Sequence, residues 1–223
     1  MKRLFLMLSL LLTVVFSVQG AAAQVGAGEE LTNAEDIEGL SAAYSRTYAV
    51  DYEALMASPS ATGLDTAALM QSITIFAYVF DDNDAASDFF SDAKKQYEES
   101  LTESMEGLGE VTVSDLEGVD KDGLQVSIDM ADLGMAMNVS VFIDGDTIFI
   151  VMVMDADVDA ANETAVNVAN YIAEADVDDE EVTFNEDGTS TGGVFDRFPE
   201  SGSDEVNGLN VDSDSDLLAE GAA

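Results

Sequence analysis

The sequence predicts an α+β fold, in which two amphipathic helices pack on an antiparallel β-meander sheet of about five to seven strands. Three observations predict it. Four β-rich segments separated by short turns follow one another between residues 111 and 154. A segment with apolar residues at helical spacing stands on each side of this run. The chain has 223 residues and no cysteine, and this length suffices to bury a core without disulfides.

The elements before the meander are predicted in order. Residues 43–51 favour a first strand, residues 64–69 a helical turn, and residues 72–80 a second strand rich in β-branched and aromatic side chains. A long helix follows, because apolar residues recur at intervals of three and four from Ala86 to Met105. Its start is marked by the capping candidates Asp81, Asp82 and Asp84, and its end by Gly107 and Gly109.

The meander itself is predicted as strands over residues 111–116, 124–130, 135–143 and 147–154. In the third strand, methionine and aliphatic residues alternate with polar ones such as Asn138 and Ser140. The fourth is apolar on both faces and is therefore expected at the centre of the sheet. Its methionines, like those of the neighbouring strands, are expected to fill the core. Asp144-Gly145 predicts a two-residue hairpin turn between these two strands.

A second helix is predicted over residues 159–175 and a short closing strand over residues 181–185. The chain also resembles itself: Asp84-Ala85-Ala86 corresponds to Asp159-Ala160-Ala161, and Glu110-Val111-Thr112 to Glu181-Val182-Thr183. Two interpretations stay open here. One is an internal strand–helix–strand duplication, and the other is two similar strand-to-helix junctions built by the same physics.

Four segments are predicted along the chain. Residues 1–23 have a basic start at Lys2 and Arg3, an apolar run of signal-peptide length and small residues before a cut after Ala23. Residues 24–40 are predicted to be an acidic linker, residues 41–185 a single α+β domain, and residues 186–223 an acidic, mostly disordered tail. The expected location is therefore periplasmic or secreted, with no stable membrane anchor once the signal peptide is cleaved.

Acidic residues dominate the composition. The chain has 46 acidic and seven basic residues, and loss of Lys2 and Arg3 with the signal leaves five basic residues and a charge of −41. This charge excludes nucleic acid as a partner, because phosphate contacts need lysine and arginine. Because the acids are spread along the chain, we interpret them as halophilic adaptation, with cation binding as the alternative.

The missing residue types exclude several chemistries. The chain contains no histidine and no cysteine, which removes the common nucleophile–base pairs and the imidazole or thiolate metal sites. No phosphate-binding glycine loop is present. We therefore expect no cofactor and no enzymatic activity.

Asp155, Asp157 and Asp159 are weak metal candidates, because they begin like a calcium-binding loop. Ala160 and Val166 occupy the positions of the required Gly and Glu, so capping of the second helix is the competing interpretation. Asp212, Asp214 and Asp216 repeat the spacing and are interpreted as part of the solvated tail.

Phe195, Arg197 and Phe198 are the candidate partner-binding residues. Two aromatic rings flank one of the few basic residues of the chain, inside a segment that is otherwise Gly, Ser, Asp and Glu rich. They are expected to dock either onto the domain itself or onto a partner.

The order strand, helix, four-strand meander and helix from Ser72 to Ala175 resembles the exported α+β domains of the PsbP/Mog1 type. The resemblance implies an accessory or binding role, and no functional residue follows from it. The hypothesis for function is thus an exported, soluble, non-catalytic binding or accessory domain for an unknown protein or small-molecule partner. The alternatives are an acidic calcium-binding envelope protein and an enzyme of unfamiliar type.

Overall fold

The structure is a computed structural model that describes residues 37–51, 71–104, 109–175, 181–185 and 188–218, with the backbone alone for residues 96–104. The predicted signal peptide, the first part of the predicted linker and the helical turn predicted over residues 64–69 lie outside these ranges. Within them the α+β prediction is confirmed: a seven-stranded antiparallel sheet carries one helix on each face.

The described residues form nine strands and two helices, together with three short 3-10 helices. The strands of the main sheet are β1 (Leu40–Ala49), β2 (Ser72–Phe80), β3 (Glu110–Asp115), β4 (Gly123–Met130), β5 (Met135–Asp144), β6 (Thr147–Asp155) and β9 (Asn210–Asp216). A separate two-stranded sheet pairs β7 (Thr183–Phe184) with β8 (Ser190–Thr191). The helices are α1 (Asn83–Ser104) and α2 (Val158–Glu174).

The order of strands across the main sheet is β3-β4-β5-β6-β2-β1-β9. Strands β3 to β6 form the predicted meander, and the chain crosses from β2 through α1 to reach its outer edge. As predicted, β6 is the central strand, and it is buried on both faces over most of its length. The β5–β6 hairpin turn lies one residue later than predicted, because Asp144 pairs with Thr147. Gly145 takes the first loop position with φ of 67°, a conformation that glycine adopts without strain.

Each face of the sheet has its own core. Alternate residues of β2, β4, β5 and β6 point towards α1, including the buried Met130, Met135, Met137 and Met152, so the predicted packing role of these methionines is confirmed. The other residues of β2 and β6 point towards α2, whose buried side consists of three alanines with Thr164, Val168 and Ile172. Small side chains let α2 lie close to the sheet.

Aspartates begin both helices, as predicted. Asp157 is the N-cap of α2, and its Oδ1 accepts a hydrogen bond of 3.0 Å from the backbone N–H of Ala160. At the start of α1, Asp82 Oδ1 accepts a 2.9 Å bond from the N–H of Ala85. Each carboxylate satisfies a backbone donor that the first helical turn leaves unpaired.

An internal duplication is not confirmed. α1 and α2 lie on opposite faces of the sheet, and the strand after α1, β3, belongs to the main sheet. The strand after α2, β7, has two residues and pairs only with β8 among the described residues.

The domain is longer than predicted at both ends. Ile37 is buried and β1 begins at Leu40, so residues 37–40, which were predicted to belong to the linker, are part of the domain. The prediction of a mostly disordered tail is wrong for residues 188–218, which form β8, two 3-10 helices (Gly193–Arg197 and Asp204–Val206) and β9. Apolar residues spaced widely along this segment, including Phe195, Val206 and Leu209, pack into the α2-side core.

Removal of the Phe195 ring should destabilise the protein far more than removal of the nearby Phe184 ring. Phe195 is 2% exposed and Phe184 is 44% exposed, although their ring centroids lie only 5.8 Å apart. We expect Phe195→Ala to lower the free energy of unfolding by ~3–5 kcal/mol, the usual cost of emptying a buried aromatic site. Phe184→Ala should cost about 1 kcal/mol or less. Denaturant titration measures both, and equal losses would show that residues 188–218 do not share the core.

Candidate functional site

The C-terminal segment brings Phe195 and Phe198 into a row of aromatic rings that runs from the surface into the α2-side core. Successive ring centroids lie 5.8 Å apart for Phe184 and Phe195, 5.3 Å for Phe195 and Phe198, and 6.5 Å for Phe198 and Phe149. Phe142 stacks on Phe149 at 5.3 Å and ends the row. Edge-to-face and offset arrangements of this kind are the favourable ones for aromatic pairs.

Arg197 fixes this segment to the end of α2. Its Nε and Nη2 donate hydrogen bonds of 3.1 and 2.7 Å to the carbonyl oxygen of Ile172, in the last turn of the helix. The same guanidinium forms an ion pair with Asp144 and lies 4.5 Å from the ring centroid of Phe149. A cation at this helix end satisfies a free carbonyl and complements the helix dipole.

Arg46 of β1 holds the same segment from the other side. Its Nε and Nη2 each donate a 2.7 Å hydrogen bond to the carboxylate of Asp214 in β9, and Nη2 also donates to the carbonyl oxygen of Ser190. The guanidinium lies 5.1 Å from the ring centroid of Phe195 and 5.7 Å from that of Phe198. Burial alone would lower the pKa of Arg46, but the bonds to Asp214 outweigh it and raise that pKa.

The three predicted partner-binding residues are therefore part of the protein's own core. Phe195, Arg197 and Phe198 are each less than 5% exposed. Of the two expected alternatives, the structure shows docking onto the domain, and none of the three side chains is available to a partner. The pairing of Arg46 with Asp214 could not be predicted from local pattern, because 168 residues separate them. The interpretation of Asp214 as part of a solvated tail is wrong, since its side chain is fully buried.

The three metal candidates do not converge on a cation site. Asp155 is buried: one carboxylate oxygen accepts from the N–H groups of Ala156 and Asp157, and the other accepts a 2.7 Å bond from Gln71 Nε2. Asp157 caps α2, and Asp159 is exposed in the first turn. The capping interpretation is confirmed for Asp157. No group of three Asp or Glu side chains able to hold a metal occurs among the described residues.

Nearly every basic side chain of the described domain is used in an internal ion pair. Besides the two arginines, Lys94 pairs with Asp115 and Asp122, each at 3.1 Å, and Lys121 pairs with Asp144 at 2.6 Å. Lys95 alone is exposed with no ion pair in the described part of the chain. Burial opposes ionisation of Asp144, but its bonds to Lys121 and Arg197 outweigh burial and lower its pKa. Among the exposed residues that the structure describes, every charged side chain except that of Lys95 is therefore acidic.

One region on the α2 side of the sheet carries no charge. Two cross-strand rows of neutral polar residues run over β3, β4 and β5, and α2 adds one further amide. The rows are Thr112, Ser127 and Asn138, and Ser114, Gln125 and Ser140; the residue from α2 is Asn162. We call these seven residues the polar face. The next row outwards is charged, with Glu110 opposite Asp129.

The deep part of the polar face is a closed hydrogen-bond network. Asn138 is fully buried, and its Nδ2 donates to Asn162 Oδ1 at 2.6 Å and to Ser127 Oγ at 3.2 Å. Ser127 Oγ donates to Asn162 Oδ1 at 2.7 Å, and Ser140 Oγ donates to Asn138 Oδ1 at 3.0 Å. Every bond joins groups on rigid elements, so the positions of these side chains are fixed.

The outer part of the polar face is open. Thr112 and Ser114 are exposed on β3, and Gln125 and Ser127 are half-buried on β4. Gln125 differs from the others, because its Nε2 is buried and no described residue accepts a hydrogen bond from it. The polar face can thus offer hydroxyl and amide groups to a ligand from a rigid floor. None of its seven side chains titrates near neutral pH.

Only a fragment of this surface is evident from the sequence. The alternation in β5 predicts Asn138 and Ser140 on the face opposite the methionines, and this prediction is confirmed. The same alternation occurs in β4, where Gln125 and Ser127 stand between apolar residues. This pattern could have predicted that these two residues lie on one face of the sheet.

Comparison with protein-family models gave no match, and neither did comparison with curated proteins. Across the described ranges, no helix combines the length and the apolar character needed to cross a bilayer.

Loss of Arg46 should destabilise the fold much more than loss of another positive charge. Arg46→Met leaves the Asp214 carboxylate buried without its partner, which typically costs ~3–5 kcal/mol. Lys95→Met makes the same change in net charge at an exposed position and should alter the free energy of unfolding by about 0.5 kcal/mol or less. Both variants are compared by denaturant unfolding in molar KCl. Similar losses in the two variants would contradict a structural role for the Arg46–Asp214 pair.

Proposed function

We propose that this chain is an exported, non-catalytic binding or accessory domain that works in concentrated salt and contacts its ligand through the polar face. The observation that carries the proposal is the polar face itself, an uncharged surface on a protein whose exposed charged residues, among those described, are all acidic apart from Lys95. A ligand must displace water from the groups that it touches. Displacing water from neutral hydroxyl and amide groups costs less than displacing it from carboxylates, so contact is favoured there.

The chemistry of the polar face supports binding rather than catalysis. Its hydroxyl and amide groups have no adjacent general base, and the chain has no histidine or cysteine to supply one. Export is supported by the signal-like composition of residues 1–23. The resemblance to domains of the PsbP/Mog1 type implies the same kind of role and stays a prediction.

The anionic exterior supports a saline environment. Internal ion pairs take up four of the five basic residues that follow residue 23, so few cations remain on the surface to offset the carboxylates. Such a surface repels itself in dilute buffer, and dissolved ions screen this repulsion. The alternative of a calcium-binding protein has no comparable support, because Asp155 and Asp157 are occupied by backbone donors.

The melting temperature should rise by several degrees between dilute buffer and molar KCl, where about 2–4 °C corresponds to each kcal/mol for a chain of this size. To separate screening from general effects of salt, the double variant Asp88→Asn, Asp92→Asn serves as the control. These exposed aspartates are four residues apart on α1 and repel each other. The variant should melt higher than the wild type in dilute buffer and at the same temperature in molar KCl. A melting temperature independent of salt would refute the adaptation.

Binding through the polar face is tested with a carboxylate placed on it. Ser114→Asp adds a charge at an exposed position of the polar face, and Ser87→Asp adds the same charge on the outer side of α1. Each immobilised protein is exposed to an envelope extract of the source cells in molar KCl. We expect a component that wild type and Ser87→Asp retain and Ser114→Asp loses. The proposal fails if the wild type retains nothing, or if both variants retain the same material.

A further inference from the structure

We propose that β3 pairs with the β3 strand of a second copy of the chain, so that two sheets join edge to edge. This proposal concerns the main-chain edge of β3 and does not depend on the proposed function. β3 is the outermost strand of the main sheet, and β4 is its only neighbour there. Its free edge therefore presents backbone donors and acceptors to which a further strand can be hydrogen-bonded.

Every second residue of β3 directs its backbone groups away from β4. The Leu116 N–H donates a 3.2 Å hydrogen bond to the carbonyl oxygen of Gly123, on the β4 side. Inward and outward residues alternate along an antiparallel strand, so Thr112 also bonds towards β4, whereas Val111 and Val113 direct their N–H and C=O groups outwards. No described residue makes a hydrogen bond to these outward groups.

The two edges of the main sheet differ in protection. At the other edge, β9 carries three aspartates, its pairing with β1 contains a register shift, and its Asp214 N–H donates a 3.2 Å bond to the carbonyl oxygen of Gly188. Charge, irregularity and cover are the usual means by which proteins prevent pairing at a sheet edge. In β3 only the end residues Glu110 and Asp115 are charged, and the four residues between them are neutral. The centre of β3 is the less protected edge of the described sheet.

Charge identifies the kind of strand that fits this edge. A basic segment would gain no ion pair from the neutral centre of β3, and an acidic one would be repelled by Glu110 and Asp115 at its ends. A neutral segment rich in β-branched residues fits both the charge and the strand geometry. The centre of β3, with the sequence Val-Thr-Val-Ser, is itself such a segment. A second copy of the chain therefore supplies a matching strand.

A two-fold axis through Thr112 gives a register without opposed charges. Thr112 then stands opposite its own copy, and Val111 of each strand stands opposite Val113 of the other. The two valines lie on the α1 side, and their outward backbone groups would form about four main-chain hydrogen bonds. Glu110 stands opposite Ser114, so no two carboxylates face each other. Thr–Thr and apolar cross-strand pairs of this kind stabilise antiparallel sheets.

The dimer should be weak and favoured by salt. Pairing along one strand edge is a small contact compared with the roughly 1,200–2,000 Å² of a standard interface, so we expect a Kd of about 0.1–1 mM. Each copy carries a large negative charge, and the Debye length falls to about 3 Å in molar salt. The Kd should therefore decrease as the KCl concentration rises.

Cysteine cross-linking tests the register, because the chain has no cysteine of its own. The two Thr112 residues would form a non-hydrogen-bonded pair with Cα atoms about 4.5 Å apart, which is within disulfide range. Thr112→Cys should therefore form a disulfide-linked dimer when it is oxidised at about 0.5 mM in molar KCl. Ser114→Cys, two residues away on the same exposed side of β3, is the matched control. Its two Cα atoms would lie about 14 Å apart, too far for a disulfide.

Sedimentation equilibrium measures the dimer without a cross-link. The wild type should dimerise in molar KCl and dissociate in dilute buffer. Thr112→Asp places two carboxylates against each other at the two-fold axis and should raise the Kd by about fivefold. Ser87→Asp adds the same charge on the outer side of α1 and should dimerise as the wild type does.

The proposal is overturned if the wild type stays monomeric at about 1 mM in molar KCl. It is also overturned if Thr112→Cys and Ser114→Cys cross-link equally, or if Thr112→Asp and Ser87→Asp dimerise equally. Retention of an extract component by the polar face is a separate measurement, so failure of the dimer leaves the proposed function unaffected.

Discussion

The fold depends on the contact between the Arg46 guanidinium and the Asp214 carboxylate. The two residues are direct partners in the register of β1 and β9, and a shift in that register lies next to them, between Thr47 and Tyr48. A slip of one residue would turn Asp214 to the opposite face and leave a buried arginine without its partner. A buried ion pair of this kind adds little net stability, but it makes the alternative registers costly. It therefore selects one position for β9, and with it the position of Phe195 and Phe198 in the core.

This constraint explains how so acidic a chain keeps a defined structure. Repulsion among exposed carboxylates opposes compaction of the chain. The few basic side chains counteract this repulsion by forming ion pairs within the fold. Arg46 and Arg197 lie between the sheet and the C-terminal segment, and Lys121 shares Asp144 with Arg197. Each of these pairs joins parts of the chain that are distant in sequence. The cations thus act as cross-links inside the fold rather than as surface charges.

The two halves of the sequence differ in how far local pattern predicts structure. The apolar run of β6 and the alternation in β5 indicate which of their residues are buried, so the centre of the sheet could be predicted. Both helices could be predicted from the helical spacing of their apolar residues. The segment 188–218 could not, because its Gly, Ser and Asp content is that of disordered chains and its apolar residues are widely spaced. Contacts with residues distant in sequence order this segment. Tyr48 donates a 2.6 Å hydrogen bond to the carbonyl oxygen of Pro199, and Arg46 donates to Asp214, which lies 168 residues further along the chain. For the same reason, local pattern could not decide between docking onto the domain and binding a partner, since the Phe195 and Phe198 rings are accounted for only once their core neighbours are known.

The polar face follows from the way α2 covers the sheet. The helix packs mainly over β5 and β6 and is hydrogen-bonded to β4 through Asn162, and the same side of the sheet changes from apolar at Phe149 to polar at Ser127. Asn138 lies at this boundary and is fully buried, so its amide nitrogen and its amide oxygen both need hydrogen-bond partners. A carboxylate beside it would add a charge that has to be desolvated. Neutral residues are therefore required at Ser127 and Asn162. That requirement does not extend outwards to Thr112 and Ser114, which are exposed and whose side chains take no part in these hydrogen bonds. Thr112 and Ser114 nevertheless carry the uncharged surface of this network out to β3, and on the same face of that strand the next exposed residue is the charged Glu110.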